Sequence, residues 1–203
     1  TSNITNNTIS GVILGGSSTG ASLVRGILAT TSSSDLRNIN GNTISDVSTS
    51  FATSATCIGI IISTGGNSNI YNNKIYGFVP GQSSTTFSGA KGIIVAGGAI
   101  SNVYNNYIGF DFPIAVLTSN NAVVGLEVSG GTGSNLYFNT IRLSGSGSGA
   151  TFGSSGINLT TTAATVEIKN NIVNNLMGGG GTGAAASVGL RRNAAALTGY
   201  AST

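Results

Sequence analysis

The chain has 203 residues and a formal net charge of +3, carried by eight basic and five acidic side chains. Glycine, serine, threonine and asparagine supply 107 residues, whereas isoleucine, valine, leucine and phenylalanine supply 53, which is enough for a thin core. The basic residues are too dispersed to neutralise a phosphate backbone, so we expect no nucleic-acid partner. The longest strongly apolar run is Cys57–Ile62, far short of the roughly 20 residues of a membrane-spanning helix, so we expect no membrane insertion.

Two motifs recur with a period of about 33 residues. The first begins as SNITNNTIS at Ser2, and its anchoring asparagine recurs at Asn7, Asn42, Asn73, Asn106, Asn139 and Asn171. The second is a glycine followed by alternating apolar residues, and it recurs at Gly26, Gly59, Gly92, Gly125, Gly156 and Gly189. Because two separate markers keep one period, the chain is predicted to be an array of repeats.

Each repeat is predicted to contain a strand, a turn and a second strand around its asparagine, and then a loop and the glycine strand. The paired asparagines of the first motif favour a left-handed turn residue. In the glycine motif, apolar residues one and three places after the glycine predict a strand with one buried face. A short further strand can follow the asparagine turn, marked by Val12, Val47, Phe78 and Leu176. One unit cannot bury its own apolar face, so successive units are predicted to stack around a common interior.

The N-I-x-x-N-x-I signature, repeated with an aligned asparagine column, resembles the parallel β-helix repeats of the pectate-lyase-like superfamily. It is most similar to the Asn-rich repeats of large bacterial surface and secreted proteins. The resemblance implies an all-β, right-handed parallel β-helix (solenoid) of about six coils over residues 1–203, and an extracellular or cell-surface location. Since enzymes, adhesins, tailspikes and structural filaments share this scaffold, the resemblance leaves function and oligomeric state open.

Equivalent positions of successive coils are expected to stack at roughly 4.8 Å, so aligned columns predict ladders. The anchoring asparagines are predicted to point inward, each side-chain amide bonding to the next and to turn backbone. A second ladder is predicted at Asn3, Asn38, Asn69, Asn102 and Asn135, with Glu167 in the last repeat.

Two further columns are predicted to face outward. The first contains Tyr71, Tyr104 and Tyr137, which are either stacked rungs that stabilise the sheet or a platform for sugar rings or a partner protein. The second lies two places after the glycine and reads Leu28, Ile61, Ile94, Glu127, Asn158 and Arg191. Its apolar members are either covered by a corner loop or contact another chain, and Glu127 and Arg191 are interpreted as a solvated charged face.

The residues needed for catalysis or cofactor binding are not grouped in this sequence. There is no histidine and one cysteine, Cys57, so we expect no metal site, no disulfide within the chain and no cofactor. The five carboxylates fall in different repeats or loops and form no convincing acid–base pair. The glycine-rich stretches lack the Lys-Ser/Thr of a phosphate-binding loop. We therefore expect no enzymatic activity from this segment.

We expect a non-catalytic segment of a longer secreted or surface-anchored bacterial β-helix, serving as an adhesin shaft, stalk or component of an extracellular assembly. The chain begins inside one repeat and ends after another has begun, so we expect it to stack against further repeats of a parent chain or other subunits. The alternative is a carbohydrate-binding or polysaccharide-degrading β-helix whose catalytic residues lie outside this segment. Ice binding ranks last, because the outward threonine column is broken by Lys74, Tyr107 and Ile172.

Overall fold

The structure is a computed structural model, and the residues it describes are 1–15, 22–30, 34–49, 55–79, 89–115, 119, 121–147, 150–161, 164–179 and 186–192. All regular elements among these residues are β-strands. Much of the loop predicted before each glycine strand lies outside the described residues. No helix of the described part has the length and hydropathy needed to span a bilayer.

Three parallel sheets take one strand from each of six successive repeats. Sheet 1 contains β1 (Ser2–Thr5), β5 (Arg37–Asn40), β9 (Ser68–Tyr71), β12 (Ile100–Tyr104), β15 (Gly133–Tyr137) and β18 (Thr165–Lys169). Sheet 2 contains β2 (Thr8–Ile9), β6 (Thr43–Ser45), β10 (Lys74–Tyr76), β13 (Tyr107–Ala115), β16 (Thr140–Gly147) and β19 (Ile172–Gly179). Sheet 3 contains β4 (Ser22–Ala29), β8 (Ala55–Ile62), β11 (Gly89–Val95), β14 (Val123–Val128), β17 (Ser154–Leu159) and β20 (Ser187–Arg192).

The strands pair at equivalent positions of the repeat. Ile39 faces Ile70 in the next coil, Ile70 faces Val103, and Val103 faces Leu136. The predicted all-β parallel β-helix is therefore confirmed. In each six-stranded sheet the four inner strands have a neighbour on both sides, and the first and last strands form its edges.

A short strand extends the first two coils beyond sheet 2, as predicted, because the backbone bends there. Gly11, Asp46 and Gly77 have φ values of 67°, 54° and 67°, and the pair β3 (Ile13–Leu14) and β7 (Ser48–Thr49) follows the first two bends. In the later coils this position is extended, so β13, β16 and β19 run straight on. The separate short strand predicted at Leu176 does not form, because β19 runs straight through this residue. The straight strand turns this side chain outward, and 59% of it is exposed.

The core lies between the three sheets and is built from β-branched and aromatic side chains. Ile44, Ile60 and Ile93 are fully buried, and the rings of Phe78 and Phe110 pack in adjacent coils with their centroids 4.9 Å apart. Burial of one such side chain contributes about 1.5–3 kcal/mol. The thiol of Cys57 is also buried, which raises its pKa to about 12.

The recurring glycine of sheet 3 is required by a close approach of two backbones. A Cβ on Gly92 would lie 2.4 Å from the carbonyl oxygen of Gly125 and 2.7 Å from the Cγ2 methyl group of Ile108. A Cβ on Gly59 or Gly125 would also lie too close to the backbone of the next coil and to an isoleucine of sheet 2. The glycine motif therefore marks the place where a strand of sheet 3 packs closely against sheet 2 and against the next strand of sheet 3.

Candidate functional site

The anchoring asparagines form a hydrogen-bonded ladder along the turn between sheets 1 and 2. Each side-chain amide donates to Oδ1 of the next asparagine, with N···O distances of 2.8 to 2.9 Å from Asn7 through to Asn171. The backbone N–H of each donor residue bonds to the same oxygen. The four inner members, Asn42, Asn73, Asn106 and Asn139, are buried.

From Asn42 onward, the side-chain amide of each asparagine also donates to a carbonyl oxygen of the preceding coil. Asn73 donates to the carbonyl oxygen of Ile39 at 2.8 Å, and Asn106 donates to that of Ile70 at 2.9 Å. An inner asparagine is thus bonded to both neighbouring coils, and its polar atoms are satisfied although it is buried. The ladder ties successive coils together at one point of the turn.

The outer face of sheet 1 carries the second predicted ladder beside the tyrosines. Asn38 donates to Asn3, Asn69 to Asn38, Asn102 to Asn69 and Asn135 to Asn102, at 2.8 to 3.0 Å. The side chains of this ladder are exposed or half-buried.

Tyr71 and Tyr104 are stacked in the neighbouring column. Their ring centroids are 4.9 Å apart and their planes differ by 2°. Each ring therefore turns a face to its neighbour along the column. A sugar platform needs exposed ring faces, so this geometry favours the structural interpretation of the two tyrosines.

Tyr137 continues the column but is bound differently. It pairs in register with Tyr104, and its hydroxyl donates to Glu167, which also forms an ion pair with Lys169. The bond to Glu167 is the main cause that raises the pKa of Tyr137 to about 12. The pKa of Glu167 is lowered by its hydrogen bonds from Lys169, which is the larger cause, and from Tyr137. The outer ladder and the tyrosine column thus end in a hydrogen-bonded triad.

Phe138 is a candidate site residue that was not predicted from the sequence. Its φ is 55°, in the left-handed region, at the turn position where the equivalent residues are Asn6, Gly41, Asn72, Asn105 and Asn170. Its side chain is 56% exposed. A bulky residue in this conformation is strained, and such strain clusters at functional sites. The signal was available in the sequence, since SNLYFNTIR has phenylalanine where the other turns have asparagine or glycine.

The exposure of the column two places after the glycine falls from the first coil to the third. Leu28 is 44% exposed, Ile61 is half-buried and Ile94 is 5% exposed. The solvated charged face assigned to Glu127 and Arg191 is wrong, because these residues are 6% and 8% exposed.

Neighbouring groups form hydrogen bonds with both of these buried side chains, and Glu127 also has an ion-pair partner. Lys91 Nζ lies 2.8 Å from each carboxylate oxygen of Glu127, and Asn158 donates to the same carboxylate at 3.0 Å. Nε of Arg191 donates to Ser155 at 2.8 Å. The sequence interpretation considered only one column, whereas Lys91 and Ser155 come from the adjacent outward column of sheet 3.

The carboxylates are spread over the coil. Asp46 accepts a hydrogen bond from Ser45, and Asp111 accepts one from Ser144. Among the described residues, no three histidine, cysteine, aspartate or glutamate side chains lie close enough together to hold a metal ion.

Comparison with known proteins adds no family to this geometry. No protein-family model, no curated protein and no solved structure matches the chain.

Proposed function

We propose that this chain is a non-catalytic, rigid segment of an exported bacterial surface protein, acting as an adhesin shaft, a stalk or a component of an extracellular assembly. Its partners are neighbouring repeats of the same parent chain or other subunits of the assembly. The asparagine ladder supports this proposal most directly. It joins all six repeats by amide hydrogen bonds, and a chain of fixed bonds along an axis suits a part that must keep its length.

The surface of the described strands also favours a structural role. The outer asparagine ladder and the Tyr71–Tyr104 stack join neighbouring rungs to each other. The bacterial surface setting rests on the resemblance of the repeats to Asn-rich β-helices of the pectate-lyase-like superfamily. An extracellular location also fits a surface made mainly of uncharged polar residues, because the interactions of such a surface depend little on salt concentration.

Electron microscopy of the protein isolated from its native source tests the proposal. We expect elongated rods, or ordered fibres, tubes or sheets built from them, whose length grows by roughly 4.8 Å per coil. Compact particles with no elongated part would contradict it. Brief protease treatment of intact cells tests the location, and we expect cleavage at the cell surface. Protection until the cells are lysed would contradict export.

Carbohydrate binding is the second candidate, and Phe138 is the observation that favours it. Its exposed ring, held in a strained turn next to Tyr137, offers an aromatic surface of the kind that sugar rings pack against. Retention on immobilised glycans distinguishes the candidates. If the surface binds glycans, Phe138→Asn abolishes retention while the fold persists, and if it is structural, neither protein is retained. Any polysaccharide-degrading activity would depend on catalytic residues outside this segment.

A further inference from the structure

Tyr71 and Tyr104 hold two phenol rings against each other on the outer face of sheet 1. The two residues pair in register on the adjacent strands β9 and β12, which places their backbones roughly 4.8 Å apart. Their ring centroids are 4.9 Å apart and their planes differ by 2°. Two phenols from neighbouring repeats therefore lie side by side in the folded chain.

Both rings are accessible to a reagent in solution. Tyr71 and Tyr104 are half-buried, and the turn residues that follow them, Asn72 and Asn105, are exposed. The alternation of the strands turns both tyrosines away from the apolar interior, where Ile70 and Val103 are fully buried. An oxidant that reaches the outer face of sheet 1 therefore meets the two phenols together.

Paired phenols are the arrangement from which dityrosine forms. One-electron oxidation of a phenol removes one electron and the hydroxyl proton, and it leaves a radical that is shared with the ring carbons next to the C–O carbon. Two such radicals join by a bond between one Cε carbon of each ring. The hydrogen on each of these carbons then moves to the phenol oxygen, so both hydroxyls are restored and the pair has lost two hydrogen atoms. Hydrogen peroxide accepts them through a haem peroxidase, since its O–O bond breaks and two waters form.

The reacting carbons must close from stacking distance to bonding distance. Because the two residues are in register on neighbouring strands, each ring can lean towards the other by rotation about its χ1 and χ2 angles. Neither strand has to leave the sheet. The rings lie on the outer face, so this movement does not disturb the packed interior.

The third tyrosine of the column is placed differently. Tyr137 pairs in register with Tyr104, but its hydroxyl is hydrogen-bonded to Glu167. Within the described part of the chain, the one ring contact between two tyrosines is that of Tyr71 with Tyr104. The geometry therefore favours reaction of this pair over the other tyrosines.

We propose that Tyr71 and Tyr104 are the site of a dityrosine cross-link, formed when a haem peroxidase and hydrogen peroxide oxidise the two phenols. The cross-link joins the third coil to the fourth by a carbon–carbon bond beside the outer asparagine ladder. Unlike a hydrogen bond, this bond persists when the chain unfolds, and thiol reductants do not cleave it. The modification is independent of the function proposed above, because it requires only the two rings and the oxidant.

Peroxidase treatment of the natural chain followed by mass spectrometry tests the proposal. The protein is treated with a haem peroxidase and hydrogen peroxide at low protein concentration, which disfavours reaction between chains, and the monomer band of a denaturing gel is digested. Trypsin cleaves after Arg37 and Lys74, so Tyr71 is the one tyrosine of its peptide. We expect this peptide to be joined to the peptide that contains Tyr104, with a loss of two hydrogen atoms, and fragment ions to assign the bond to Tyr104.

Three single variants show whether the stacked pair directs the reaction. Tyr71→Phe and Tyr104→Phe keep the aromatic ring and remove the hydroxyl, so each should abolish this cross-link in the monomer. Tyr107→Phe is the matched control, because it removes an exposed tyrosine of sheet 2. The cross-link yield of this variant should stay within twofold of that of the natural chain.

Two results would overturn the proposal. One is a monomer of the natural chain in which Tyr71 is unmodified or is joined to a tyrosine other than Tyr104, including the case in which dityrosine is found only between chains. This result does not depend on the folding of any variant. The other is a dityrosine yield in the Tyr71→Phe monomer equal to that of the natural chain.

Discussion

The side-chain amide of Asn73 donates to Oδ1 of Asn106 at 2.9 Å, and the backbone N–H of Asn73 donates to the same oxygen at 3.0 Å. Asn106 in turn bonds back to the carbonyl oxygen of Ile70 at 2.9 Å and onward to Asn139 at 2.9 Å. One buried side chain therefore satisfies backbone groups in the coil before it and side-chain groups on both sides. Replacing this one asparagine therefore removes hydrogen bonds to the coil before it and to the coil after it.

Asn106→Ala should strongly destabilise the fold. It removes the acceptor for two donors of Asn73 and the donor to Ile70, and each buried group left unsatisfied costs about 1–3 kcal/mol. We expect the free energy of unfolding to fall by about 3 to 5 kcal/mol, measured by urea denaturation. Asn102→Ala is the matched control on the outer ladder of the same coil, with an expected loss of about 1 kcal/mol or less. Equal losses would mean that the inner ladder has no special role.

Gly92→Ala should overpack the junction of sheets 2 and 3. The added methyl group would meet the carbonyl oxygen of Gly125 at 2.4 Å, and backbone cannot move aside as a flexible side chain can. We expect a loss of at least about 2 kcal/mol in the free energy of unfolding. Gly133→Ala is the control, since its nearest contact would be 3.7 Å. If the two variants are equally stable, the close approach is not what requires the glycine.

Exchange of residues between two adjacent turns tests the strain at Phe138. Phe138→Asn should stabilise the chain by about 1 kcal/mol, because asparagine tolerates the left-handed conformation better than phenylalanine. Asn105→Phe should destabilise it by a similar amount, since Asn105 has the same φ of 55°. Thermal unfolding of both variants measures the two effects. A loss of stability in Phe138→Asn would show that the ring makes packing contacts that outweigh the strain.

The phenol of Tyr137 should titrate near pH 12, later than an ordinary tyrosine. Glu167→Gln removes the negative charge that accepts its proton, so the pKa of Tyr137 should fall towards its usual value of 10, which an absorbance titration at 295 nm measures. Tyr137→Phe identifies the transition. A folded-state pKa above the unfolded value stabilises the fold below pH 10, and this contribution is lost between pH 10 and pH 12. An unchanged titration in Glu167→Gln would contradict the assigned hydrogen bond.

The repeat period was sufficient to predict the fold and both asparagine ladders, because a stack of coils converts sequence spacing directly into neighbours in space. Phe138 was not predicted as a site residue. The turn position was interpreted from the asparagines and the glycine of the other coils, and the one phenylalanine at this position was not considered. Glu127 and Arg191 were placed in solvent because alternation assigns a face to a residue but does not predict what covers that face. Lys91, the charged partner of Glu127, comes from a different column, and aligning equivalent positions of the repeat does not pair residues of different columns.

The burial of Arg37 could also not be predicted from the sequence. Arg37 lies at the position that Ser68 occupies in the next coil, and the repeat pattern alone did not predict that a charged side chain there would be buried. The same limit applies to Leu176, whose face depends on whether the preceding turn bends.

Mechanical unfolding in optical tweezers, with the chain held by its two ends, tests most directly the claim that this is a rigid, ladder-joined segment. We predict that the natural chain keeps its folded length under load and then unfolds in abrupt steps, and that Asn106→Ala lowers the unfolding force while Asn102→Ala leaves it nearly unchanged. Gradual extension at low force, or the same unfolding force for the natural chain and Asn106→Ala, would contradict the claim.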